Sequence, residues 1–359
     1  MAAARVVRIL ERLARQPTAP MHEQGVLSEA ARIAREFGAR VRTDRWGNLV
    51  VEPPGRRRGP PIWLVAHTDH PGLEVTRPGQ AVLLGGVGAA YFRRGLRLRF
   101  YHEGEVIPAR LTRVSPKGEL LSLEASPGVR RLRRGDFGVF ELTDFQLKGT
   151  RVLARQLDDL AGSAVSLAVM ERVCGGHARN VHALLTRAEE IGFVGSLGAT
   201  ADRRIPANAW IINVEASKAL PGAGIGGGPV IRVGDRRTTF NAAAESLLLE
   251  ARDRLPESQP VQRFLMSGGT CEATVWNLYG YRATGVAVPL GNYHNQGLEG
   301  RLAAEVVSAN DLATAVDLIE QAARRPRAAN AREDLLRGRF SRYLRQYGRR
   351  LQTSRPKLL

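Results

Sequence analysis

The stretch "LLTRAEEIGFVG", residues 184–195, sets two carboxylates side by side, Glu189 and Glu190, directly after the apolar run "VHALLT". Neighbouring side chains on an extended chain point to opposite sides, so the pair can serve two different tasks. Taken alone, two adjacent acids at a strand end read as a solvated turn. Comparable groups recur, however, at the ends of other strand-like runs. His67 and Asp69 close "IWLVA", Asp158 and Asp159 follow "RVLARQL", Glu215 follows "AWIINV" and His294 follows "ATGVAVPLGNY". Each has an ordinary structural reading too, Asp158 for example as the N-cap of the helical segment behind it. As a set they are two imidazoles and several carboxylates, the ligand types that bind zinc-type ions, and one carboxylate can bridge two of them. Such a pair of ions lowers the pKa of a water and polarises a carbonyl, but a separate base must still move the proton. One of the two adjacent glutamates could bind metal while the other transfers that proton.

Groups so far apart in sequence can meet only if the fold brings strand ends together, and the hydrophobic pattern supports this. Two amphipathic segments, "ARVVRILERLARQ" and "EQGVLSEAARIAREFG", precede the strand-like "RVRTD", "NLVVEP" and "IWLVAHTD". From about residue 75 the pattern turns to short β-like pieces separated by Gly, Pro and charge, without a convincing helix, as a small β-barrel or sandwich requires. Helix and strand alternate again from residue 150, which predicts an α/β domain. The expected architecture is therefore a mixed, mainly parallel sheet flanked by helices, with a small β-barrel inserted in it. Residues 1–74 and 150–325 would form the α/β domain, 75–149 the insertion, and 326–359 a basic amphipathic C-terminal extension. In an open α/β sheet, ligands bind beyond the carboxyl ends of the strands, which is where the candidate residues fall. The extension is expected to dock its apolar stripe on its own domain, with a membrane, nucleic acid or partner subunit as other readings.

Composition narrows the class. The 359 residues, 43% hydrophobic and 25% charged, suit one large or two smaller soluble domains. Two cysteines, Cys174 and Cys271, give no disulfide framework, and no apolar run approaches the roughly 20 residues of a membrane span. The expected location is the cytoplasm. A formal charge of +18 invites a nucleic-acid reading, but the basic residues are arginines spread along the chain with four lysines among them, a compositional bias rather than a binding patch.

In order along the chain, "AHTDHPG", "LDDLAG", "AEEIGFVG", "INVEAS", "GGTCEA" and "YHN" resemble the co-catalytic di-zinc metallopeptidases, most closely the tetrahedral aminopeptidase family, which also includes glutamyl and deblocking aminopeptidases. The likeness runs from about residue 5 to 323 and extends to "DRWGNLVV" and to the β-rich insertion. It implies two divalent ions per chain, zinc with cobalt or manganese as alternatives. It also implies that His67 and Glu215 bind one ion, that Glu190 and His294 bind the other, and that Asp158 bridges both. Asp69 would orient His67, Glu189 would act as general base and then acid, and the bond between Asp158 and Asp159 would be cis. The implied activity is that of an aminopeptidase acting on peptides, in a homo-oligomer such as a dodecamer; composition, separately, speaks against a nucleic-acid partner and the apolar runs against a membrane.

Four residues depart from the resembled pattern. Glu215 stands where the resembled aminopeptidases usually have Asp; Glu there is associated with carboxypeptidases and aminoacylases, which makes amidohydrolysis of that type the alternative. Cys271 replaces a common Asp and Asn295 a common Ser, and His70 takes a place usually held by Glu. A non-catalytic binding or assembly protein using its basic surface is the reading from another class. "GAGIGGG" has the glycine spacing of a dinucleotide fingerprint at Gly222, Gly224 and Gly227, but Pro229 and a strand-like run follow in place of a helix, so a flexible loop is expected. Cys271 opens an apolar helical segment and reads as a structural thiol.

Overall fold

The computed structural model describes residues 2–55, 59–115, 120–176, 180–324 and 331–354. Helices α1 (Ala2–Ala14) and α2 (Gln24–Glu36) lead into strands β1 (Arg40–Thr43), β2 (Leu49–Glu52) and β3 (Ile62–His67). Next come β4 (Gly72–Arg77), β5 (Gln80–Leu84), β6 (Arg97–His102), β7 (Glu105–Val114), β8 (Leu120–Leu123), the short helix α3 (Pro127–Arg131) and β9 (Phe137–Phe140). Strands β10 (Gln146–Lys148) and β11 (Arg151–Ala154), helix α4 (Leu157–Cys174), β12 (Val181–Thr186), α5 (Val194–Asp202), β13 (Trp210–Lys218) and β14 (Val230–Asp235) follow. The chain continues through α6 (Ala242–Arg252), β15 (Gln262–Met266), α7 (Glu272–Leu278), β16 (Arg282–Leu290), β17 (Glu305–Ser308), α8 (Ala309–Arg324) and α9 (Ala331–Thr353).

An eight-stranded sheet in the order β1-β2-β12-β3-β13-β16-β14-β15 forms the centre. Its inner strands β12, β3, β13 and β16 run parallel, so their carboxyl ends share one edge. These strands are buried along nearly their whole length, which is why they read as continuous apolar runs. One face packs against α1, α4, α6 and α8 through residues such as Ile9, Leu13, Leu160, Leu247 and Leu312. The other packs against α5 and α7 around Trp63, Ile211 and Trp276. Helix α4 is apolar on nearly every side because it is enclosed between the sheet, α1 and α8.

Strands β4-β5-β8-β7-β6-β9 close into an antiparallel barrel with its own apolar filling, including Leu73, Phe100, Ile107, Leu121 and Phe140. Closure removes the edges that such short strands would otherwise expose. The barrel region does contain a helix, the five-residue α3, because Pro127 sits in its first turn and Ser126 Oγ caps it by accepting from Val129 N. A three-stranded sheet, β10-β11-β17, lies beside the start of α4. Periodicity signals neither β15 nor α5. Strand β15 is a parallel edge strand whose alternate residues are exposed, and α5 contains two glycines, Gly195 and Gly198, where a side chain would strike Asn48 and Trp46.

The C-terminal segment departs from expectation. Helix α9 touches the body through α6, yet Leu335, Leu336, Phe340, Tyr343, Leu344, Tyr347 and Leu351 are all 42–75% exposed, so its apolar stripe does not dock on the α/β domain. Six arginines between Arg337 and Arg350 occupy much of the rest of the helix, and a chain of net charge +18 offers it little acidic surface on which to lie. Residues 326–330 and 355–359 of the extension lie outside the described residues. No helix among the described residues is long and apolar enough to cross a membrane.

Candidate metal centre

The parallel strands bring His67, Glu189, Glu190, Glu215 and His294 to one edge of the sheet, and the start of α4 adds Asp158 beneath them. All six line a single cleft of about 270 Å³ together with Gly86, Phe193, Arg237, Thr270 and Tyr293. His67 is the last residue of β3, and Glu189 and Glu190 lie just beyond β12. Glu215 is inside β13, which runs three residues past it. His294 follows β16 in a turn where Asn292, His294 and Asn295 all have positive φ. A larger groove, about 630 Å³, opens between α2 and β1 and contains none of these groups.

Buried carboxylates that take no part in the cleft fix these positions. Asp69 accepts the backbone N–H of Glu189 at 3.0 Å and of Glu190 at 3.0 Å, so one carboxylate pins the turn that carries both acids. Its main-chain carbonyl, rather than its carboxylate, lies within hydrogen-bond reach of His67 Nδ1 at 3.1 Å; the carboxylate stands 3.6 Å from that nitrogen. Asp159 accepts from Gly162 N, Ala216 N and His67 N, tying α4 to β13 and β3. Position 162 must be glycine for this, since a Cβ there would lie 2.2 Å from the Val214 carbonyl oxygen and 2.4 Å from the Asp159 carboxylate. Glu305 accepts from Leu157 N, Asp158 N and His294 N, joining Asp158 to His294. The peptide bond between Asp158 and Asp159 is cis. The helix-capping role considered for Asp158 belongs to Asp159, which takes the Gly162 amide.

Asp158 directs its two oxygens apart. Oδ1 is 3.4 Å from His67 Nε2, and Oδ2 is 3.7 Å from His294 Nε2, which in turn is 3.3 Å from Glu190 Oε1. Asp158, Glu190 and His294 form one set of groups close enough to share an ion, and His67, Glu189 and Glu190 form another. Glu215 falls in neither set and faces Arg232, with Oε2 at 3.5 Å from Nη1. Asp158 Oδ1, Glu190 Oε1 and Glu215 Oε2 are buried without a hydrogen-bond partner. Buried anionic oxygens left unpartnered are costly unless cations neutralise them, so this donor set fits divalent metal.

The electrostatics are those of a crowded anionic site. Burial pushes the Glu189 carboxyl well above the usual carboxylate range, opposed by His67 and reinforced by Glu190. Glu215 is pushed up to about 7 by burial, against the pull of Arg232. Burial would lower the His294 imidazole, but Glu190 and Asp158 raise it to about 9. His67, likewise buried, is held well above its ordinary value by Glu189, Asp158 and Asp69.

Several contributors escaped the sequence reading. Glu305 signals itself only as an acid opening an apolar strand, and Tyr293 only by its place in "YHN", where its ring stacks on His294 at 3.7 Å. Gly86, from the barrel side, presents its carbonyl to His294 Nδ1 at 2.5 Å. His70 and Asn295, two of the unusual residues, meet each other: His70 Nε2 lies 3.1 Å from Asn295 Oδ1, and Nδ1 lies 2.6 Å from the Asp158 carbonyl. Cys271 is the buried N-cap residue of α7, as its structural reading required. "GAGIGGG" connects β13 to β14 with no helix after it, and Asp311 pins it by accepting from Gly226 N and Gly228 N.

Comparison with known proteins gives a consistent result. Residues 126–318 match the M42 glutamyl aminopeptidase family. An Acetivibrio thermocellus protein bearing an aminopeptidase name is 24% identical over 303 residues, covering 79% of this chain and 87% of that protein. A TET aminopeptidase from a marine sediment thaumarchaeote superposes with a TM-score of 0.76 at 18% identity over 90% of this chain and 97% of its own. The TET1 peptidase of Pyrococcus horikoshii does so at 0.74 and 20%, over 89% and 99%. At these identities the structural likenesses establish the fold.

The role of Asp69 can be tested directly. Asparagine offers one acceptor oxygen where two amides need one each, so Asp69→Asn is expected to loosen the Glu189–Glu190 turn and weaken divalent-ion uptake by about 10- to 100-fold while circular dichroism stays native. Unchanged affinity in equilibrium dialysis would show that the turn holds without Asp69.

Proposed function

The chain belongs to the M42 glutamyl aminopeptidase family, and from that premise we propose that it removes the first residue of peptides using two divalent ions held by its own side chains. The observation that carries the proposal is the divergence of the two Asp158 oxygens toward His67 and His294, beside carboxylate oxygens that are buried and unpartnered. His67, Asp158 and Glu215 would hold one ion and Asp158, Glu190 and His294 the other. Imidazole with carboxylate suits zinc best, with cobalt and manganese as alternatives. When bound, the ions would lower the pKa of a water and polarise the scissile carbonyl.

The remaining work belongs to the chain. Glu189 lines the cleft with Oε2 3.8 Å from His67 Nε2, and its burial and anionic neighbours raise its proton affinity. That suits a carboxylate which takes a proton from the attacking water and gives it to the departing amine. Asp69 keeps Glu189 and Glu190 on divergent paths by holding both amides. Tyr293 and the Gly86 carbonyl fix the plane and tautomer of His294. We read residues 1–74 and 150–325 as the catalytic domain, 75–149 as an insertion and 326–359 as an extension, a division supported by the barrel's separate apolar core.

The P. horikoshii TET1 peptidase can assemble into a tetrahedron or an octahedral shell. We propose a closed homo-oligomer of that kind, a dodecamer, whose enclosed sites admit peptides rather than folded proteins. Exposed apolar side chains at Leu278, Tyr279 and Leu298 support an assembly surface. Multi-angle light scattering should give a mass of many chains, and a monomer at all concentrations would refute the assembly.

Two further outcomes are expected. Glu189→Gln should retain its metal and lose about 10²- to 10⁴-fold in turnover, whereas Glu190→Gln should bind metal more weakly, both readable by elemental analysis beside rate assays. Amino acids should be released from peptides with a free amine whether or not the C-terminus is blocked. Dependence on a free C-terminus, or cleavage of N-acyl amino acids alone, would instead favour the carboxypeptidase or aminoacylase chemistry that Glu215 suggests. No hydrolysis with metal supplied would leave a binding protein.

A further inference from the structure

Arg232, on β14, is 1% exposed and lies behind Glu215, outside the cleft that Glu215 lines. The fold makes room for it deliberately. Its register partner on β16 is Gly285, where a Cβ would sit 2.9 Å from Arg232 Cδ. The guanidinium donates from Nη1 to Ser217 Oγ at 3.0 Å and lies 5.7 Å from the centre of the Phe240 ring. The same Nη1 stands 3.5 Å from Glu215 Oε2, an oxygen that has no hydrogen-bond partner. Arginine stays charged in any such setting, and a desolvated cation must be balanced by a nearby anion. Glu215 is thus claimed from behind by a fixed charge and needed in front by metal. Nothing equivalent acts at the other end of the centre: among the described residues, neither Asp158 nor Glu190 is paired with an arginine or lysine, and both lie in one ion-sized set with His294, from which Glu215 is absent.

We propose that Arg232 is a positioning residue that competes with metal for Glu215 and thereby makes the two ion positions unequal. The position served by Asp158, Glu190 and His294 fills first and tightly. The position served by His67 and Glu215 is weak and exchangeable, because an ion there must share Glu215 with a buried guanidinium of like charge. This rests on the two-ion reading above.

The test is a titration of the full-length chain, freed of metal by chelator, with Co²⁺, followed by visible absorption and by metal content after dialysis. The wild-type chain should take up two ions in steps separated by about tenfold or more, and Arg232→Met should tighten the second step by about tenfold while leaving the first unchanged. Arg232→Lys, which keeps the charge, should keep the steps apart, and Arg232→Gln replaces the methionine variant if that one does not fold. Two equal steps in the wild type, or a second step unmoved or weakened in the uncharged variants, would overturn the proposal while leaving the two-ion centre standing. Absence of any uptake would instead remove the two-ion reading itself.

Discussion

Several carboxylates crowded into one buried cleft repel one another, and almost every other feature of this chain can be understood as a response to that repulsion. The acids that face the cleft, Asp158, Glu189, Glu190 and Glu215, are balanced in part by His67, His294 and Arg232 and, on the proposed reading, by divalent ions. A second group, Asp69, Asp159 and Glu305, is buried as deeply but spends its charge on backbone amides. The amides they take belong to His67, Leu157, Asp158, Glu189, Glu190, Gly162, Ala216 and His294, so each supporting acid grips a candidate ligand or its immediate neighbour. The supporting acids act as the frame of the site, and the parallel sheet supplies the edge on which the frame is built.

That division explains what could be read in the sequence. The candidate ligands were visible because each ends or nearly ends an apolar run, and an acid or imidazole at such a place stands out. The mainly parallel sheet and the barrel were visible for the same reason, through apolar runs of strand length and through their spacing. Glu305 and Arg232 were not, and Asp159 was visible only beside Asp158 without its grip on three amides, since a buried charge satisfied by backbone or by one partner leaves no periodic trace. Helix α5 and strand β15 were missed because glycine and exposed residues blur their periods. Helix α9 was anticipated as a helix, but its amphipathic pattern carried no information about what, if anything, its stripe would meet.

The unusual residues also prove not to be independent. His70 touches Asn295 and supports the Asp158 carbonyl, and Glu215 faces the buried Arg232, whose charge also reaches Cys271. At positions 70 and 295 one departure is answered by another at the group it contacts. In a close-packed interior this is expected, because a changed charge or volume is felt by its immediate neighbours first.

The Gly86 carbonyl, beyond β5, reaches out of the barrel region to the ring of His294 at the carboxyl edge of the sheet. The barrel therefore cannot be regarded as a passenger that evolution or an engineer could exchange freely for another insert of similar size. A replacement that folded perfectly but lacked a carbonyl at that point would leave His294 Nδ1 without its acceptor and the tautomer of the ring unfixed. The two parts of the chain would be sound in isolation and mismatched in combination, so they are heritable only as a unit.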